Sequence, residues 1–175
     1  MKVIGLAGWS GAGKTTLLTQ LIPIFTADGL RVSTIKHAHH KFDVDVPGKD
    51  SWRHREAGAT EVLVASGRRW ALMHELRKAP EPRLTELLEK MTKVDLVVVE
   101  GFKADSHPKI EVHRVANGRP LMFSQDSAIV GLVSDIDVET PLPVAHIDDI
   151  AAVARLMKTA AVRIEDVLAR EAAGT

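Results

Sequence analysis

One short segment, residues 8–15, constrains the fold of this 175-residue chain more than any other. Its sequence, GWSGAGKT, has the G-x-x-x-x-G-K-[ST] spacing of a phosphate-binding loop. The apolar run at residues 2–7 is typical of a buried strand, and residues 14–27 carry the apolar spacing of one helix face. Because strand, loop and helix come in the order that the motif requires, the sequence predicts a P-loop in an α/β fold.

The residues of this glycine-rich loop have distinct predicted roles at a polyphosphate. The glycines allow backbone N–H groups to surround the phosphates, and the first turn of the following helix adds its dipole. Lys14 is expected to reach the β and γ phosphates, the Thr15 hydroxyl to ligate Mg²⁺, and Thr16 to contact the α phosphate. The predicted phosphate-binding residues are Gly8, Ser10, Gly11, Ala12, Gly13, Lys14, Thr15 and Thr16.

A second predicted magnesium element stands at the end of another apolar run. Residues 96–99 are typical of a strand buried on both faces of a parallel sheet, and Glu100 follows them. Ligands gather at the carboxyl ends of the strands in such sheets, which favours Glu100 as an acid that holds the metal through water. The alternative interpretation is a solvated strand end.

Strand-like and helix-like segments alternate along the rest of the chain. This alternation predicts a three-layer, mostly parallel α/β sheet with crossover helices, of the P-loop NTPase type, in a single domain over residues 1–175. Two β-rich runs joined at Ser66-Gly67 predict an inserted β-hairpin. Residues 109–115 alternate between polar and apolar side chains, which predicts a further strand.

Composition excludes several classes of protein. The chain has 23 basic and 23 acidic residues, so it lacks the basic surface of a nucleic-acid binder. It has no cysteine, which excludes a disulfide scaffold and a thiolate metal site. Its apolar runs are too short to span a bilayer, and no signal peptide fits before the phosphate motif. We therefore expect a cytoplasmic protein with neither a membrane nor a nucleic-acid partner.

A polar, histidine-rich segment at residues 37–50 is predicted to be a long loop. It starts with His37-Ala38-His39-His40 and continues to Asp43 and Asp45. Three interpretations stay open: a transition-metal site, a switch-like loop over the γ phosphate, and a solvated surface loop.

The segment KHAHHKFDVDVPGKDS, residues 36–51, resembles the K-H-x-H-H…D-x-D-x-P-G-K-D-S segment of the MobB family. These are the adaptor proteins of molybdopterin-guanine dinucleotide biosynthesis. Further blocks at residues 57–59, 64–66, 69–73 and 99–103 resemble the same family in the same order. The resemblance covers roughly the whole chain and is weakest after about Asn117.

The resemblance implies a GTP-binding homodimer with weak intrinsic GTPase activity, and no residue is assigned as catalytic. Such proteins assist the MobA-type nucleotidyltransferase that joins GMP to molybdopterin. GTP and Mg²⁺ are the implied cofactors. By the same resemblance, residues 8–16 would hold the phosphates, and Thr15 and Glu100 would hold the metal. Residues 36–51 would face the nucleotide or molybdopterin.

Guanine recognition has no standard motif in this chain. The N-K-x-D sequence is absent, since the only asparagine is Asn117. Asp135, just after the apolar run at residues 128–133, is the best substitute for the aspartate of that motif, because a carboxylate there can accept both guanine N–H groups. The alternative is an aspartate that ends a strand in a turn.

Two other functions compete with a GTP-dependent adaptor. In a small-molecule kinase, Asp43 and Asp45 would form an acid pair that orients the acceptor hydroxyl. No arginine-rich lid follows Glu100, which opposes the kinase. In a non-hydrolysing dimeric scaffold, the nucleotide would be structural; tight binding without turnover would favour this alternative.

Overall fold

The computed structural model describes residues 1–38 and 42–174, which form two compact units. The larger unit contains residues 1–37 and the chain from residue 84 onward, and the smaller unit contains residues 38–83. The single domain over residues 1–175 therefore stays a prediction. The elements in chain order are β1 (Lys2–Ala7), α1 (Lys14–Ala27), β2 (Val32–Lys36), α2 (Asp50–Glu56), β3 (Glu61–Ala65), β4 (Trp70–His74), α3 (Leu84–Lys90), β5 (Leu96–Glu100), β6 (Lys109–His113), a 3₁₀ turn (Val115–Asn117), β7 (Ile129–Ser134), β8 (Val144–His146), α4 (Ile150–Ala160), β9 (Val162–Arg163) and α5 (Ile164–Gly174).

The larger unit is built on a sheet with the strand order β2-β5-β1-β6-β7-β8. All five neighbouring pairs on this path are parallel, and the short β9 pairs antiparallel with β1 at Lys2 and Val3. The carboxyl ends of β1, β2, β5 and β6 therefore meet at one edge. This confirms the predicted α/β fold with a mostly parallel sheet.

Two apolar clusters form because alternate residues of the central strands point to opposite faces of the sheet. Ile4 and Val98 belong to the cluster that includes buried residues of α1 and α4. Val3 and Val97 belong to the cluster that includes buried residues of α3 and α5. Helices therefore cover both faces, which gives the three layers expected from the sequence.

The smaller unit contains α2 and the antiparallel hairpin β3–β4, which confirms the predicted hairpin. Val62 and Met73 lie opposite each other on one face of the hairpin, and Val62 is buried there. Helix α2 packs against β3. On the other face, Leu63, Trp70 and Leu72 are 59%, 64% and 47% exposed. One face of the hairpin is thus apolar and open within this unit.

Within the part of the chain that the structure describes, no helix is long and apolar enough to cross a membrane.

Candidate functional site

The glycine-rich loop joins the buried strand β1 to the N-terminus of α1. Gly8, Gly11 and Gly13 have φ angles of 138°, 82° and 88°, a region that L side chains rarely adopt. At Gly8 the carbonyl oxygen of Val112 also leaves no room, because a Cβ would lie 2.4 Å from it. The sequence spacing of the glycines therefore corresponds to backbone positions that require glycine.

Lys14 lies across this loop. Its Nζ donates to the carbonyl oxygens of Gly8 and Trp9 at 2.7 and 3.0 Å. Burial lowers the pKa of Lys14; nearby Lys103 and Lys36 lower it further, while Glu100 opposes them. An anion at the loop would relieve this repulsion between cations.

Glu100 and Thr15 meet, as the sequence analysis expected. The Thr15 hydroxyl donates to Oε1 of Glu100 at 3.4 Å, and Lys36 Nζ lies 3.7 Å from Oε2. Gly101, with φ 97°, allows the ends of β5 and β2 to approach, since a Cβ there would lie 2.6 Å from Cβ of His37. A hydroxyl and a carboxylate are hard oxygen ligands, so these two residues fit Mg²⁺.

Two residues beside the loop were missed by the sequence analysis. Nε of Arg114 lies 3.2 Å from the position of a Cβ on Gly13, the residue that caps α1. Asn117 donates from Nδ2 to the carbonyl oxygen of Ser10 at 3.3 Å. Among the described residues, no carboxylate pairs with Arg114. A half-buried guanidinium thus lies, without an acid, at the positive end of a helix.

Asp135 follows β7 and supports the same segment. Its Oδ1 accepts from the backbone N–H of Val115 at 2.9 Å, which holds the 3₁₀ turn that carries Asn117. This contact reaches a distant segment of the chain, whereas the alternative named in the sequence analysis was a local turn at the end of the strand. Guanine binding by Asp135 stays a prediction.

The histidine-rich segment is only partly described, because His39, His40 and Lys41 lie outside the described residues. The ring of His37 packs against Phe102, with the centroids 4.9 Å apart. Over the described residues, no group of three His, Cys, Asp or Glu side chains is placed to hold a metal ion. Nothing described there favours the transition-metal interpretation.

In the smaller unit, Arg55 binds the two acids that the kinase alternative needs. Its guanidinium lies 2.8 Å from Asp43, 3.2 Å from Asp45 and 3.0 Å from Glu75. The hydrogen bond from Arg55 is the main cause that lowers the pKa of Asp43. Because both aspartates accept from one arginine, they are not a free acid pair for an acceptor hydroxyl.

Comparison with known proteins supports one family. The family profile described as "Molybdopterin guanine dinucleotide synthesis protein B" matches residues 3–135. A molybdopterin-guanine dinucleotide biosynthesis adapter protein from Escherichia coli (strain K12) is 43% identical over 155 residues, covering 87% of this chain and 89% of that protein. A protein of the same description from Haemophilus influenzae is 48% identical over 122 residues, covering 68% of this chain and 67% of that protein. A crystal structure of molybdopterin-guanine biosynthesis protein B is similar, with a TM-score of 0.72, 27% identity, and coverage of 90% of this chain and 97% of the other.

Proposed function

The chain belongs to the MobB family, the adapter proteins of molybdopterin-guanine dinucleotide biosynthesis, and on that premise we propose that it acts through bound GTP. The GTP-loaded protein assists a MobA-type nucleotidyltransferase, which attaches GMP to molybdopterin. Its own GTP hydrolysis is weak. A cytoplasmic location, expected from the sequence, belongs to the same proposal.

The convergence of cations on the glycine-rich loop is the observation that carries this proposal. Lys14, Arg114 and the N-terminus of α1 come together there, in a chain whose formal net charge is zero. The loop N–H groups and these cations suit a polyanion such as a triphosphate. Without one, the Lys14 ammonium is partly desolvated and is repelled by Lys103 and Lys36.

Magnesium fits the same site through Thr15 and Glu100. The Thr15 hydroxyl would ligate the ion, and the Glu100 carboxylate would hold it through water. The metal would neutralise charge on the β and γ phosphates. Lys36, which contacts Glu100, would then be free to face a phosphate oxygen or the partner.

A homodimer and a partner surface complete the proposal. The open hairpin face with Leu63, Trp70 and Leu72 offers apolar area that a second copy of the chain would cover. Contact of residues 36–51 with molybdopterin remains part of the proposal from family resemblance. The kinase alternative loses its acid pair to Arg55, and nothing described favours it.

The test is the change Lys14→Ala, with Lys2→Ala as the matched control on a strand of the same sheet. We expect Lys14→Ala to lose GTP binding and to stop stimulating a MobA-type enzyme in a GMP-transfer assay. Thermal stability without ligand should hardly change, since the desolvation of the Lys14 ammonium offsets its two hydrogen bonds. Calorimetric GTP titration and co-elution with the transferase, with and without GTP, measure both effects. If Lys14→Ala binds GTP as the wild type does, the proposal is wrong.

A further inference from the structure

Lys36 is the last residue of β2 and lies level with Glu100, the last residue of β5. The two residues are register partners in the parallel pairing of these strands. Just beyond them, the backbone N–H of His37 donates to the carbonyl oxygen of Glu100 at 2.8 Å, and the ring of His37 packs against Phe102. The backbone at Lys36 is therefore fixed beside the Thr15–Glu100 pair, wherever its ammonium points.

The side chain of Lys36, in contrast, is held loosely. Its Nζ lies 3.7 Å from Oε2 of Glu100, beyond the range of a charge-assisted hydrogen bond, and the side chain is 61% exposed. Glu100 is its only carboxylate partner among the described residues. Ion pairs this exposed contribute little to stability, because water and salt screen them. The ammonium can therefore leave Glu100 without disturbing the fold.

The charges around Glu100 leave it little capacity to hold both Lys36 and a metal ion. Burial lowers the pKa of Lys14 most, and Lys103 and Lys36 lower it further, so both ammoniums lie close enough to repel Lys14. Glu100 is the acid that opposes this repulsion. The positive charge of a divalent ion held by Glu100 would exceed the single negative charge of this carboxylate. The Lys36 ammonium would then be repelled and would need another anion.

The γ phosphate is the anion that a bound triphosphate offers to the displaced ammonium. In the proposed function, on which this inference rests, the ion at Thr15 and Glu100 neutralises the β and γ phosphates. Because β5 lies between β1 and β2, the γ phosphate would lie on the side of the loop from which Lys36 projects. The flexible stem of a lysine allows its ammonium to move from one anion to the other. A diphosphate lacks the γ phosphate and would leave Lys36 unpaired beside a divalent ion.

We propose that Lys36 is the residue by which this site distinguishes a nucleoside triphosphate from a diphosphate. Its ammonium pairs with Glu100 in the free protein and with the γ phosphate when the magnesium complex of the triphosphate is bound. The N–H groups of the glycine-rich loop bind phosphates that both nucleotides share, so they contribute less to the distinction.

Lys103 provides a matched control for Lys36. Both lysines are exposed, and both repel the ammonium of Lys14. Lys103, however, lies over the indole of Trp9, with Nζ 5.9 Å from the ring centroid, and does not contact Glu100. Metal binding at Glu100 therefore releases Lys36 and leaves Lys103 where it is.

The test is calorimetric titration of the full chain with GDP and with the β,γ-imido analogue of GTP, each in Mg²⁺ and in EDTA. In Mg²⁺, we expect Lys36→Ala to weaken binding of the GTP analogue about tenfold and to change GDP binding little, because one charge-assisted contact is lost. Lys36→Arg keeps the positive charge and should restore most of the preference for the triphosphate. In EDTA, where Lys36 stays on Glu100, Lys36→Ala should change the preference much less. Lys103→Ala should alter both affinities alike and keep the preference.

Lys36 does not have this role if the wild type shows no preference for the triphosphate in Mg²⁺, or if Lys36→Ala leaves that preference intact. The same conclusion follows if the preference is lost equally in EDTA, or is lost in Lys103→Ala instead, since the metal would then not act through Lys36. Failure of the proposed function looks different. The wild type would then bind neither nucleotide, and both the proposed function and the role of Lys36 would be wrong.

Discussion

At the scale of single residues, Glu100 combines three interactions at one strand end. It accepts from Thr15, lies near the ammonium of Lys36 and opposes the lowering of the Lys14 pKa by burial. Its charge therefore acts on the hydroxyl and on both lysines around the glycine-rich loop. A carboxylate with these neighbours suits a metal held through water better than it suits a solvated strand end.

Glu100→Gln keeps the shape of the side chain and removes its charge. We expect Mg²⁺-dependent GTP binding to weaken on the order of tenfold, and binding in a chelator to change little. Titrations of GTP with Mg²⁺ and with EDTA measure the difference. Asp95→Asn is the control, because Asp95 lies just before the same strand and pairs with Arg31 instead. Equal losses of GTP affinity with and without metal would indicate a structural role for Glu100.

His107 is the buried residue whose ionisation affects stability most directly. It is fully buried, and neither ring nitrogen has a hydrogen-bond partner among the described residues. Burial lowers the pKa of His107 to about 4; Lys109 lowers it as well, and Asp126 opposes them. The unfolded chain therefore binds the proton first as the pH falls below about 6.5.

The free energy of unfolding should consequently fall between about pH 6.5 and pH 4. His107 alone should account for a loss on the order of 1–2 kcal/mol between pH 7 and pH 5. His107→Leu removes the titrating group, so urea unfolding of this variant should depend less on pH in that window. Burial raises the pKa of Asp105. Because Asp105 is present in both proteins, its contribution to the pH dependence cancels in the comparison. The same pH dependence in wild type and variant would contradict this assignment.

At the scale of elements, the hairpin β3–β4 is the least self-sufficient part of the structure. Two strands alone are marginally stable, and only one face of this hairpin has a buried residue. Leu63 and Leu72 lie directly opposite each other on the open face, next to the Ala65–Trp70 pair. An apolar surface built of cross-strand pairs is the kind that a second chain covers.

Leu72→Glu should therefore shift the chain from dimer to monomer at micromolar concentration. The added carboxylate would be desolvated in an interface through this face, which raises the dissociation constant by about a hundredfold or more. Sedimentation velocity with GTP present measures the change. Arg68→Glu, in the hairpin turn, is the control and should stay dimeric. A wild-type monomer under these conditions would count against the dimer.

The elements also show which parts of the site the sequence could predict. The structure brings Thr15 and Glu100 together, because the loop motif is local and strand ends share an edge in any parallel sheet; their role at a metal stays a prediction. Arg114 was missed because its contact with Gly13 depends on β6 lying beside β1, and no local pattern encodes strand order. A strand was predicted at residues 109–115 and is found at Lys109–His113. The burial of Lys109 and Glu111 was not predicted, because it depends on groups elsewhere in the chain.

At the scale of the whole molecule, binding and hydrolysis are separate requirements. In the proposed function, the glycine-rich loop binds the phosphates and Thr15 and Glu100 hold one Mg²⁺; Arg114 adds a cation beside this loop. No glutamine follows Glu100 to orient water, since Gly101, Phe102 and Lys103 come next. Arg55 is engaged by three acids. A partner would have to complete the hydrolytic site.

Turnover of GTP by the isolated protein should therefore be slow, about 10⁻⁴ to 10⁻² s⁻¹. Single-turnover hydrolysis with excess protein over GTP measures it without interference from product release. The transferase, added at saturation, is the comparison that shows whether a partner supplies the missing group. A rate above about 1 s⁻¹ for the protein alone would contradict the prediction.

The position of β1 in the sheet has a consequence for synthesis on the ribosome. β1 lies between strands that begin at residues 96 and 109, and its own residues 2 and 3 pair with β9 at residues 162 and 163. β1 is therefore translated well before the strands that pair with it. At about 5–20 residues per second, this leaves Val3, Ile4 and Leu6 uncovered for seconds. The central strand of the larger unit therefore cannot reach its native pairing until the segments at residues 96–113 and 162–163 have been synthesised.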